Sequence, residues 1–101
     1  MTRDEIIAAL EAHEAEIRAK GVTRLALFGS RMRGDHRRDS DLDVLVDIDP
    51  TLPKFSLIDL AGVKVRIEEI LGIETNVVER RTIKRGSKFA KCIADDIVEV
   101  F

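Results

Sequence analysis

From Asp41 to Asp49 the chain alternates between apolar and acidic residues. Leu42, Val44, Val46 and Ile48 share one parity, Asp41, Asp43, Asp47 and Asp49 the other, and only Leu45 interrupts the acidic set. A repeat of two is the repeat of a β-strand, whose successive side chains point to opposite faces. Wound into a helix, the same residues would mix carboxylates into every face. The segment therefore requires a sheet with one side in a core, and the other apolar runs can build it. Val22 to Phe28 and Ile73 to Val78 read as strands, and Ile97 to Phe101 as a closing edge strand.

Three helices accompany them. Thr2 to Lys20 begins with a capping-box pattern, Thr2 and Glu5, and carries Ile6, Ile7, Leu10 and Ile17 on one face. Ser56 caps a second helix running to Leu71, with Leu60, Val63, Ile67 and Ile70 apolar; Gly21 and Gly72 follow the two helices as terminators. A basic amphipathic helix is predicted from Thr82 to Asp95. Between the first two strands, Gly29 to Ser40 is polar, and Pro50 and Pro53 frame a turn. The order α-β-loop-β-α-β-α-β predicts an α/β (α+β) sheet covered by helices, in a single domain over residues 1–101.

Composition narrows the function classes. The 101 residues carry a net charge of −2, so no global basic field points to nucleic acid. The cluster Arg80, Arg81, Lys84, Arg85, Lys88 and Lys91 has only Phe89 as an aromatic, which is no stacking platform and does not favour direct nucleic-acid binding. Cys92 is the sole cysteine and excludes an intrachain disulfide or a multi-cysteine metal cage. His13 has no nearby partner for ligation, so a structural or surface role is expected. No apolar run reaches membrane-spanning length and no signal-peptide pattern opens the chain, which makes the cytoplasm the expected location.

Chemistry concentrates after the first strand. Gly29 permits a sharp turn, and Ser30 offers a hydroxyl and an amide at the start of a helical turn, where phosphate oxygens are favoured. Arg31 and Arg33 flank that turn and could neutralise phosphate charge or be solvated at the surface, whereas Arg37 and Arg38 are expected to face solvent or a partner. Asp41 and Asp43, one residue apart on a strand, share a face and repel each other. A divalent cation relieves that repulsion, and oxygen donors beside a phosphate site suit Mg²⁺. Each feature alone is common: Gly-Ser pairs occupy ordinary turns, and Asp-Leu-Asp describes many solvent faces.

Together, Gly29-Ser30, ten intervening residues and Asp41-Leu42-Asp43 resemble the G-S-x10-D-x-D motif of the DNA polymerase β-like nucleotidyltransferase superfamily. Leu25 to Arg31, Gly34, Ser40 to Val46 and Ile70-Leu71-Gly72 extend the likeness to the small prokaryotic minimal nucleotidyltransferases. The resemblance implies a mixed sheet of about four strands flanked by helices. It implies that Gly29, Ser30 and Arg31 bind the triphosphate of ATP, and that Asp41 and Asp43 act as catalytic ligands of two Mg²⁺ ions. Members of this branch are commonly paired with a HEPN-domain toxin, and some adenylylate a toxin tyrosine.

One departure matters. Where the superfamily carries a third carboxylate, this chain has Asn76, with Glu74 two residues earlier on the same parity and Glu79 on the opposite one. Asparagine can lend a neutral oxygen to a metal but cannot accept a proton, and loss of a positioned general base costs about two to four orders of magnitude in rate. Three readings follow: a slow nucleotidyltransferase acting on a hydroxyl of a partner protein, a nucleotide-binding module that silences its toxin by occlusion, or a structural subunit. Clustered carboxylates beside a phosphate turn disfavour the last.

Overall fold

The computed structural model describes residues 2–28, 42–52, 54–83 and 97–101, the side chain of Arg81 excepted. Helices α1 (Arg3–Ala12) and α2 (Glu14–Ala19) precede strands β1 (Val22–Phe28) and β2 (Leu42–Ile48). Helix α3 (Leu57–Leu71), strand β3 (Thr75–Glu79), a 3₁₀ turn (Arg80–Thr82) and the short strand β4 (Val98–Glu99) follow. The four strands form one mixed sheet in the order β3-β2-β1-β4. β1 pairs antiparallel with both β2 and β4, while β2 and β3 run parallel.

Register settles which side each residue takes. Leu27 pairs with Val44 and Leu42 with Thr75, so Leu25, Leu27, Leu42, Val44 and Val46 face the helices. There they are buried with Ile6, Leu10, Ile17, Val63, Ile67 and Leu71. The expected apolar face of β2 is therefore the core face. Leu45, the interruption in the acidic parity, packs with Ala26 and Phe28 in a second cluster on the opposite face, against which Val78, Ile83 and Ile97 are packed.

The predicted first helix is broken at His13. An unbroken helix would have the His13 amide donate to the Ala9 carbonyl. Instead that carbonyl is 2.8 Å from His13 Nδ1, while the His13 amide donates to Leu10 O at 3.1 Å. The ring competes with its own backbone, and α2 restarts one residue later. His13 thus has a structural role. Both capping boxes form, Thr2 with Glu5 and Ser56 with Asp59. At Gly21 φ is +105°, a backbone conformation that disfavours any side chain, and an added Cβ would also press on the Leu52 side chain, 2.8 Å from Cδ1.

Helix α2 is tied to α3 by Arg66, whose Nε donates to Glu16 Oε1 at 2.6 Å and Nη2 to Glu16 Oε2 at 3.2 Å. The Arg66 hydrogen bond holds the Glu16 carboxyl below its ordinary value of 4.5. A depressed carboxylate stabilises the fold fully above the unfolded value and loses that contribution as pH falls through the folded one. Acid titrations of the melting midpoint should therefore show Glu16→Gln flattening the decline below about pH 4.5. An unchanged profile would show that the pair contributes nothing in solution.

β3 starts at Thr75, two residues later than the sequence reading placed it. β4 is the expected edge strand, extended by backbone bonds in which Leu25 donates to Phe101 O at 3.2 Å and Val100 to Leu25 O at 2.8 Å. The predicted helix from Thr82 to Asp95 lies almost wholly outside the described residues, as does Cys92.

Candidate metal and nucleotide site

The sheet face turned away from α1 and α3 is divided along its length. At the end where β1 finishes and β2 and β3 begin, Asp43 is paired in register with Phe28 on one side and with Asn76 on the other. Asn76 Nδ2 donates to Asp43 Oδ1 at 3.4 Å. Asp43 is half-buried and Asn76 exposed. The apolar cluster around Leu45 follows, and beyond it lies an ionic network. Arg80 Nε lies 2.8 Å from Asp47 Oδ1 and Arg80 Nη2 3.3 Å from Glu99 Oε1, while Arg24 Nη2 is 3.9 Å from Glu99 Oε2.

The two ends thus differ in chemistry. Asp47 is matched by a guanidinium, which makes it part of the clasp joining β2 to β4 through Arg80. Asp49, on the same parity, is used by its own turn: its Oδ1 accepts from Thr51 N at 2.9 Å and Thr51 Oγ1 at 2.7 Å, and these bonds lower its pKa. Of the acidic parity of β2, Asp43 is the described carboxylate that meets Asn76, next to the point where the chain runs from Phe28 into Gly29-Ser30.

The start of β3 is fixed from helix α3. The Thr75 amide donates to Glu68 Oε2 at 3.0 Å, and Thr75 Oγ1 donates to Ile73 O at 3.0 Å. Thr75 is 1% exposed, the buried polar residue of the described core. Leu42 N donates to Glu74 O at 3.0 Å, closing the ladder at the same end. Glu79 pairs in register with Val46 and so takes the other face from Asp43, in keeping with its parity. Sequence reasoning did not find the Glu68 to Thr75 anchor, the Arg80 clasp or the Phe28 pairing. Each depends on register or on a tertiary contact with no local pattern to announce it.

Gly29, Ser30, Arg31 and Asp41, which sequence assigns to the same site, lie outside the described residues. Among the described residues, no group of three or more His, Cys, Asp or Glu side chains could hold a metal. What is described fits Mg²⁺ by donor chemistry: the carboxylate of Asp43 supplies hard oxygens, and the Asn76 side-chain amide donates to it. Mg²⁺ needs only one or two carboxylates when phosphates supply the rest.

Residues 10–99 match the family described as nucleotidyltransferase domain. The chain belongs to that nucleotidyltransferase family. The protein adenylyltransferase MntA of Thermococcus cleftensis is 37% identical to this nucleotidyltransferase over 103 residues, spanning 99% of this chain and 97% of that protein. A solved structure of a provisionally assigned minimal nucleotidyltransferase superposes with a TM-score of 0.77 at 28% identity, covering 97% of this chain and 95% of the other. A chain from the complex of a tri-AMPylated Shewanella oneidensis HEPN toxin with its MNT antitoxin gives a TM-score of 0.64 at 15% identity, covering 94% and 71%. That last likeness is one of fold. The mixed four-stranded sheet is the polymerase β-like nucleotidyltransferase fold expected from the motif. Among the described residues no helix is long and apolar enough to cross a membrane.

Proposed function

We propose that this nucleotidyltransferase moves AMP from ATP onto a hydroxyl of a partner protein and so acts as antitoxin to a HEPN-type toxin. The observation that carries the reading is the position of Asp43, opposite Phe28 at the sheet end where β1 leads into Gly29-Ser30, in a chain 37% identical to a protein adenylyltransferase.

In the transfer, the acceptor oxygen bonds to the α-phosphorus of ATP, the bond between the α- and β-phosphates breaks, pyrophosphate leaves, and the hydroxyl proton passes to a base. Asp41 and Asp43 would hold Mg²⁺, which when bound offsets phosphate charge and polarises the reacting phosphoryl group. Gly29 and Ser30 would bind the triphosphate through their amides and the serine hydroxyl, with Arg31 adding a positive charge. Asn76, opposite Asp43, cannot take the proton. That role falls to Glu74 or to a group of the acceptor, at a rate below that of a site with a positioned carboxylate.

Asn76 also favours a second reading, in which the chain binds nucleotide and silences its toxin by occlusion. Mass spectrometry of a HEPN toxin from the same genome, incubated with this protein, ATP and Mg²⁺, decides between them. One or more adenylate increments, absent with Asp41→Asn/Asp43→Asn, establish the enzyme. No increment, with undiminished inhibition of the toxin by that double variant, overturns it in favour of occlusion.

A further inference from the structure

Asn76 does more than leave a carboxylate out. In the parallel ladder of β2 and β3 it sits directly across from Asp43, and its amide nitrogen donates to Asp43 Oδ1 at 3.4 Å. A carboxylate in its place would set two like charges at one opposed pair, an arrangement that destabilises a sheet. The backbone that carries Asn76 is also held: the preceding residue, Thr75, is 1% exposed and bonded through its amide to Glu68 Oε2. A short side chain on an anchored backbone, donating to a carboxylate across one strand spacing, is built to aim that carboxylate.

The geometry points to Asn76 as a positioning residue that orients Asp43 for a divalent cation and holds the negative charge of the site low until a nucleotide brings the cation in. The inference rests on the reading of Asp43 as a cation ligand. Its consequence is a site that takes the metal weakly alone and firmly as the metal–triphosphate complex. Groups that hydrogen-bond a ligating carboxylate fix its orientation, and removing them typically costs about 10- to 100-fold in metal affinity.

Two variants of the full-length chain test this, read by electron paramagnetic resonance titration of Mn²⁺ with and without a non-hydrolysable ATP analogue. Asn76 is exposed and on an edge strand, so both variants should fold. Asn76→Ala should weaken binding of the Mn²⁺–nucleotide complex by about tenfold, with its melting midpoint in EDTA unchanged. Asn76→Asp, equal in size but without the donor, should melt lower than the unsubstituted chain in EDTA, recover with Mg²⁺, and bind nucleotide-free Mn²⁺ more tightly. Alanine binding as well as asparagine overturns the positioning role while leaving the metal site standing. An aspartate variant that neither melts lower in EDTA nor gains affinity overturns the claim that Asn76 keeps the charge low. Failure of the unsubstituted chain to bind Mn²⁺ under either condition overturns both this inference and the reading of Asp43 on which it rests.

Discussion

Asp43→Asn is expected to lower the rate of adenylyl transfer by about three orders of magnitude, because a cation that offsets phosphate charge is worth several kcal/mol at the transition state. The fold should survive the change. Asp43 is half-buried, and its neighbours in register are Phe28 and Asn76. Two side-chain amides facing each other can hydrogen-bond where an amide and a carboxylate do now. Single-turnover transfer measured alongside the melting midpoint separates the effects: a large loss of rate at a constant midpoint is the expected pair. Retention of full rate would remove Asp43 from the chemistry.

The second large effect is on stability. Leu45 is 1% exposed and packs with Ala26 and Phe28, with Val78, Ile83 and Ile97 against the same cluster. Truncating a buried leucine to alanine costs about 2–5 kcal/mol, the transfer of its methyl groups plus the cavity they leave. Leu45→Ala should therefore lower the melting midpoint by about 8 °C or more, since each kcal/mol is worth about 4–8 °C in a domain of this size. Urea titration supplies the free energy directly. A cost below about 1 kcal/mol would mean that the second face of the sheet is loosely covered in solution, because surface positions fall in that range.

Much of this fold is written in local pattern. The period of two in β2 named both the strand and its buried face, and the Ser56 cap with Gly72 marked both ends of α3. Leu45 was visible as an interruption, but its meaning was not: only pairing with Ala26 shows that the acidic face carries an apolar band. The break at His13 was missed because it arises from a ring nitrogen competing for one carbonyl, which leaves the apolar periodicity of the segment intact. The candidate site was legible as a motif and not as an arrangement. That Asn76 faces Asp43 follows from a parallel register between strands separated by α3, and no spacing in the sequence fixes that register. Asp47 and Asp43 look equivalent in sequence. They differ because Arg80, just past the end of β3, reaches the first and not the second.

That difference is open to one direct measurement. In a heteronuclear spectrum of the labelled protein, substoichiometric Mn²⁺ added with an ATP analogue broadens amide signals steeply with distance from the ion. Asp43 and Asp47 lie about 13 Å apart along β2, four residues at strand rise. Signals of Phe28, Asp43 and Asn76 should disappear first, with those of Asp47, Arg80 and Glu99 persisting to higher Mn²⁺. Broadening centred on the Asp47, Arg80 and Glu99 end, or spread evenly along the sheet, would contradict the placement of the metal–nucleotide site at Asp43.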